Sequence, residues 1–191
     1  MNIFDVHIKN GEVIDGTGAP KFKSDIVIDK GKIIGVFPAE NGDVRDPSEN
    51  HFLSNFKAKH TINAENKIIS PGFIDVHTHD DDNVFLDPSM SSKISQGVTT
   101  CVAGNCGISL APFSYKGEVP APIALLGKSE VFRFPRVSDY KEEFNNKPSS
   151  VNLALLTGHS MLRVEAMNGE FARQATTKEI SKMVDKLKLA L

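Results

Sequence analysis

The apolar positions change their rhythm along the chain. Residues 3 to 37 carry short β-rich runs, FDVHIKNGEVID and DIVIDKGKIIGVF, separated by a GTGAPKFKS loop. Asn10-Gly11 and Lys30-Gly31 stand where tight hairpin turns are expected, so this part predicts a small antiparallel sheet. Residues 38 to 60 (PAENGDVRDPSENHFLSNFKAKH) hold no periodic apolar pattern and read as a polar insertion or long loop. A further strand is expected from Thr61 to Ser70, turning at Asn63 to Asn66.

At Pro71 the pattern becomes one of apolar runs that end in polar, often glycine-containing tips. PGFIDVHTH predicts a buried strand through Phe73, Ile74 and Val76, and GVTTCVAGNCG and SVNLALLTGH repeat its plan. The segments DPSMSSKISQ and SDYKEEFNNK between them can be helical. Strands alternating with helices predict an α/β fold with a parallel sheet, and polar residues at the strands' carboxyl ends predict a TIM-like (β/α) barrel. The last segment, TTKEISKMVDKLKLAL, opens with a capping-box pattern at Thr176 or Thr177 before Glu179 or Ile180. Its apolar residues Ile180, Met183, Val184, Leu187 and Leu191 keep helical spacing. The expected organisation is an N-terminal β subdomain over 1–70 and the first part of a barrel over 71–191. A whole barrel needs eight strands and roughly 250 residues, so the pattern reads as a partial one.

Composition narrows the functions open to such a chain. Of its 191 residues 40% are hydrophobic and 24% charged, enough apolar material for one compact domain or part of a larger one. The formal net charge of -2 provides no global positive field for nucleic acid or an anionic membrane surface. Asp5, Lys9 and Glu12 interrupt the N-terminal stretch, which is neither a signal peptide nor a membrane span, so a cytoplasmic location is expected. Two cysteines, Cys101 and Cys106, are too few for a disulfide framework and point instead to chemistry or metal binding. The glycines of GTGAP match no nucleotide-binding spacing.

The candidate chemistry centres on Asp75-Val76-His77-Thr78-His79. Alternate residues of a strand share a face, so His77 and His79 are expected to project together and grip one metal ion, with Thr78 turned away. Asp80, Asp81 and Asp82 then either accept hydrogen bonds from the histidines or form a solvated acidic turn. Cys106 lies in a Gly-Asn-Cys-Gly tip where glycines allow a sharp turn and a nearby cation would lower the thiol pKa. Cys101 sits inside the apolar run TTCVA and reads as an ordinary buried cysteine. His7, His51 and His60 lack ligand neighbours at usable spacing and read as surface residues.

PGFIDVHTH, following a segment that begins IKNGEVIDGTG, resembles the amidohydrolase superfamily, in which an HxH pair ends the first barrel strand and binds metal. GVTTCVAGNCGISLAP is similar to the second-strand segment of D-aminoacylases and N-acyl-D-amino-acid deacylases, where the cysteine of GNCG is a zinc ligand. The resemblance therefore implies Zn2+ held by His77, His79 and Cys106, and hydrolysis of a small-molecule N-acyl-D-amino acid to a carboxylate and a free D-amino acid. The related hydantoinases bridge two metals with a carboxylated lysine on a later strand. NLALLTGHSMLR has no lysine, and the thiolate of Cys106 would take the bridging position. GHSMLR also resembles the deacylase pattern and implies a pocket-lining role for His159. Arg163 either meets a substrate carboxylate or orders a loop through an ion pair. The family's remaining histidine ligands and its general-base aspartate are expected further along the chain, so the 191 residues alone are expected to hold zinc weakly and to need the rest of the barrel or an oligomeric partner. The alternatives are another amidohydrolase, of hydantoinase or isoaspartyl dipeptidase type, and a non-catalytic metal-binding fragment.

Overall fold

The computed structural model describes residues 2–38, 55–121, 123–170 and 172–191. The chain divides into two compact units, Met1–Pro71 and Gly72–Leu191.

The first unit is built on one long strand. β1 (Asn2–Val13) lies between β2 (Phe22–Asp29) and β4 (Phe56–Asn63), with β3 (Lys32–Pro38) beyond β2. β1 pairs antiparallel with β2, and β2 with β3, but β1 pairs parallel with β4 and with the short β5 (Ile68–Ile69). The sheet is thus mixed, whereas the sequence predicted an antiparallel one. Lys30 and Gly31, with φ of +49° and +73°, do make the β2–β3 hairpin turn. Asn10-Gly11 is not a turn. It is a bulge inside β1, where Asn10 takes φ +65° and the register to β2 shifts between Ile8 and Gly11. Both turns and bulges of this kind call for a positive φ, which is why the same dipeptide signals either. The bulge falls where β1 passes from β4 to β5, and a Cβ on Gly11 would stand 2.2 Å from Ile69 Cδ1. β4 also begins earlier than expected, at Phe56, inside the stretch read as polar insertion; residues 39–54 of that stretch lie outside the described residues.

His7 is buried rather than on the surface. Its Nε2 meets Asp25 Oδ2 at 2.7 Å, and Asp25 Oδ1 accepts the backbone N–H of Asn10 at 2.9 Å, so one buried carboxylate ties the bulge to the imidazole. His60 is exposed on β4, and His51 lies outside the described residues.

The second unit contains a parallel three-stranded sheet in the order β10 (Asn152–Leu155), β7 (Val98–Ala103), β6 (Phe73–Asp75). Two single-turn helices, α1 (Asn83–Leu86) and α2 (Ser91–Ile94), connect β6 to β7. Between β7 and β10 run a two-stranded ribbon, β8 (Phe113–Ser114) with β9 (Arg133–Phe134), and α3 (Val137–Asn146). α4 (His159–Ala166) and α5 (Thr177–Ala190) follow. The α/β class read from the sequence is therefore present.

The strand register separates the sheet's two faces. Asp75, Cys101 and Leu153 are aligned, and this face turns into a core of Met90, Leu110, Phe113, Phe132, Phe134, Tyr140 and Met161. Ile74, Thr100 and Asn152 lie on the other face, which is open among the described residues. Ile74, read as buried, is consequently 60% exposed; Phe73 and Val76, also read as buried, are 62% and 69% exposed. Tyr140 anchors the core at β6's end: its ring stacks edge-on to Phe85 and Phe134 at 5.1 and 5.0 Å, and its hydroxyl donates to the Asp81 carbonyl at 2.6 Å.

α5 starts at the predicted capping box, resolved to Thr176 and Glu179. Thr176 Oγ1 accepts the Glu179 N–H at 3.3 Å and Glu179 Oε2 accepts the Thr176 N–H at 2.7 Å. No helix among the described residues is long and apolar enough to cross a membrane.

Replacing Asp25 with Ala should leave the buried His7 ring and the part-buried Asn10 N–H without their acceptor and cost about 2–4 kcal/mol. Urea unfolding should show it, with the His7→Ala/Asp25→Ala double variant costing less than the sum of the singles. The hydrogen bonds from Arg173 and then Thr176 hold the Glu179 carboxyl far below its usual range. A depressed carboxyl stabilises the folded state above its unfolded pKa of 4.5 and loses that contribution as pH falls below it. Limited proteolysis at α5 should therefore accelerate between pH 6 and pH 3 in the wild type, and Glu179→Gln should be susceptible already at pH 6.

Candidate metal centre

β6 stops at Asp75, and the reason is local. Asp75 Oδ1 accepts the backbone N–H of His77 at 3.2 Å, a side-chain substitute for a strand bond that turns the chain out of the sheet. His77, Thr78 and His79 therefore lie in a loop, not in the strand whose two-residue period predicted their common direction. The loop still keeps one bond to β7, from Thr78 N–H to the Val102 carbonyl at 3.2 Å. Thr78 is buried, His77 is exposed and His79 half-buried, and the two imidazole rings lie 5.9 Å apart, edge to face. The predicted pairing is observed, and loop hydrogen bonding produces it.

The second element is the tip of β7. Gly104, Cys106 and Gly107 all take left-handed backbone, with φ of +81°, +56° and +75°. For Cys106 that conformation costs roughly 1–2 kcal/mol. Neighbouring backbone enforces it. Asn105 Nδ2 donates to the Val102 carbonyl at 2.7 Å, Leu156 N–H to the Ala103 carbonyl at 2.9 Å and Ser160 N–H to the Gly107 carbonyl at 2.8 Å. A Cβ on Gly104 would lie 2.1 Å from the Leu156 carbonyl oxygen, so only glycine permits this approach.

These two loops bring three donors together. His77 Nε2 lies 3.1 Å from Cys106 Sγ, and one ligand atom each from His77, His79 and Cys106 fall within 4.8 Å of one another. Bonds of about 2.0–2.3 Å from imidazole and thiolate place neighbouring donors on a tetrahedral ion roughly 3.3–3.8 Å apart, inside that span. His79 Nδ1 is buried without a hydrogen-bond partner among the described residues. A soft thiolate with two imidazoles, one of them carrying an unsatisfied buried nitrogen, suits a divalent transition ion. Cys101, by contrast, is fully buried in the core, and burial pushes its thiol pKa up.

The three aspartates after His79 are not a solvated turn. Asp80 is paired with Lys93 Nζ at 2.9 Å and accepts the Thr78 hydroxyl; Asp82 faces Arg133 Nη1 at 3.4 Å. Asp81 is fully buried, which pushes its carboxyl pKa up against the effect of the Gly104 N–H 3.4 Å from its Oδ2. Their partners are a lysine, an arginine and backbone amides rather than the histidine rings. Lys93 and Arg133 lie far enough along the chain that no local pattern pointed to them.

His159 and Arg163 fall elsewhere. They line an open groove of about 720 Å³ with Leu162 of α4 and Ile180, Met183, Val184 and Leu187 of α5, and none of the three donors lines it. Arg163 Nη2 donates to the Arg173 carbonyl, a contact that orders the loop before α5. His159 opens α4 beside the Cys106 loop, its N–H 4.0 Å from where a Gly107 Cβ would stand.

The profile of the Amidohydrolase family matches residues 60–189. The chain belongs to that family. This amidohydrolase is 39% identical over 183 residues to the D-aminoacylase of Alcaligenes xylosoxydans xylosoxydans, a match covering 95% of this chain and 34% of that protein. Two solved structures are similar to it with a TM-score of 0.84. One is a D-aminoacylase described with a binuclear metal center, 43% identical over 98% of this chain and 36% of that one. The other is the N-acyl-D-glutamate deacylase from Bordetella bronchiseptica complexed with zinc and a phosphonate inhibitor, 37% identical over 100% of this chain and 36% of that one. The deacylase resemblance carried by the GNCG segment is thereby borne out, and the chain spans about a third of the length of the relatives it matches.

The close approach at Gly104 should be the least tolerant point of the amidohydrolase loop. Gly104→Ala adds a left-handed alanine and a clash with backbone, and is expected to cost about 3 kcal/mol or more. Gly107→Ala, whose Cβ would meet nothing nearer than the Ser160 Oγ at 3.1 Å, should cost about 1–2 kcal/mol. Paired urea titrations would check the order.

Proposed function

We propose that this chain supplies the first metal-binding half of a zinc-dependent N-acyl-D-amino-acid deacylase, with His77, His79 and Cys106 as zinc ligands. The observation that carries the reading is the convergence of those three donors at the carboxyl ends of two adjacent parallel strands. Parallel strands with their chemistry at that end and one open face are also what part of a (β/α) barrel presents, so we read 71–191 as the opening strands of one and 1–70 as a separate β subdomain. The names of the relatives supply the substrate class, an N-acyl-D-amino acid.

When bound, zinc supplies Lewis acidity toward an amide carbonyl and a means of ionising water near neutral pH. The chain's own residues make that placement possible. His77 and His79 bind as neutral imidazoles, and Cys106 brings the negative charge that a hard-to-bury cation needs. The Asp75 carboxylate and the Thr78 amide fix the loop that aims the rings, and the Gly104 approach fixes the thiol. We assign none of the described residues as general base; the resemblance implies an aspartate further along the family's chain for that role. His159 and Arg163 stand as pocket-lining candidates on the neighbouring groove.

Zinc per protein by plasma emission spectrometry, on wild type and Cys106→Ala, tests the reading together with D-methionine and D-glutamate release from their N-acetyl derivatives by the full-length enzyme. About one or more zinc per wild-type chain, falling in the variant, with D-amino acid released only by the wild type, is expected. Wild-type protein without zinc would sink the assignment, and zinc without turnover would leave a metal-binding protein of another function.

A further inference from the structure

Asp75 to Asp80 is a six-residue segment whose polar side chains divide into two sets. His77 and His79 meet Cys106. Asp75, Thr78 and Asp80 instead meet Lys93, which reaches them from α2. Lys93 Nζ lies 2.7 Å from Asp75 Oδ2, 2.9 Å from Asp80 Oδ2 and 3.4 Å from Thr78 Oγ1. An ammonium has three N–H donors, and here it finds three acceptors, one before the histidine pair, one between its members and one just after it. Its side chain is 21% exposed, and those of Asp75 and Asp80 30% and 18%, so the cluster is shielded from solvent more than a surface pair. Asp75 passes the constraint on directly, since its other oxygen accepts the His77 N–H at 3.2 Å.

We propose that Lys93 is a positioning residue for the metal centre, a single cation that closes the histidine-bearing loop from behind and sets the spacing of His77 and His79. Without it the two carboxylates that bracket the pair carry like charge across a short gap and repel, and the loop opens at both ends. The inference rests on the reading of His77, His79 and Cys106 as metal ligands.

The test titrates Co2+ alone into metal-stripped full chain and follows the thiolate-to-cobalt charge-transfer absorption. A saturable band in the wild type that is absent in Cys106→Ala establishes the ligand reading; no band in the wild type means that reading fails, and this inference falls with it. Given the band, Lys93→Met is expected to raise the Co2+ Kd about 10- to 100-fold, the usual effect of removing a group that orients ligands. Lys93→Arg, which keeps the charge and the donors, is expected to recover most of the affinity. Lys186→Met, which breaks the 2.6 Å pair between α5 and Glu165 of α4, should leave the affinity unchanged. Wild-type affinity and band in Lys93→Met would overturn the proposal, and so would an equal loss in Lys186→Met, since both variants would then be reporting general loosening. Should Lys93→Met not fold, Thr78→Val removes the hydroxyl between Lys93 and Asp80 at constant shape; a weakened Co2+ affinity supports the proposal and an unchanged one overturns it.

Discussion

The candidate centre depends on one close approach of backbone to backbone, that of Gly104 to the carbonyl of Leu156. Because nothing projects from Gly104, the tip of β7 can lie against the end of β10, where the Ala103 and Gly107 carbonyls accept N–H groups from Leu156 and Ser160. Gly158 repeats the condition from the other side, since a Cβ there would stand 2.5 Å from the Gly107 carbonyl oxygen. With both ends of the loop held this way, the residue between them has little choice of φ. The left-handed Cys106 and the 3.1 Å contact of its thiol with His77 follow from that packing.

What could be read in the sequence follows how local each interaction is. The Gly-Asn-Cys-Gly turn, the Lys30-Gly31 hairpin and the Thr176–Glu179 capping box are set within four residues, and each was legible. The histidine pair was found for an incomplete reason, because a strand period predicted what an Asp75 side-chain bond produces. His7 was misjudged because its partner, Asp25, is 18 residues away, and Asp80 and Asp82 because Lys93 and Arg133 lie in other elements. Asn10-Gly11 shows the limit of dipeptide signals, since a hairpin and a bulge need the same backbone angle and only the pairing partners β4 and β5 decide between them.

The apolar runs of β6 and β7 carried a second ambiguity. Strands hydrophobic on both sides are expected to be covered on both sides. Among the described residues one face is covered, by the aromatic cluster around Phe113, Phe132 and Phe134, and the other is not. Sequence records the environment in which a strand was selected, while exposure records only the neighbours present. The two descriptions agree where β6, β7 and β10 turn Asp75, Cys101 and Leu153 toward the core.

The left-handed backbone at Cys106 also limits how this centre can diverge. Among residues that can donate to a metal, aspartate, asparagine and histidine adopt such a conformation most readily, while a β-branched side chain adopts it poorly. A lineage that exchanged the thiolate for another donor without rebuilding the Gly104 and Gly158 contacts would therefore be steered toward one of these three. In this fold the main chain acts as an evolutionary filter, deciding which chemistries are one mutation away.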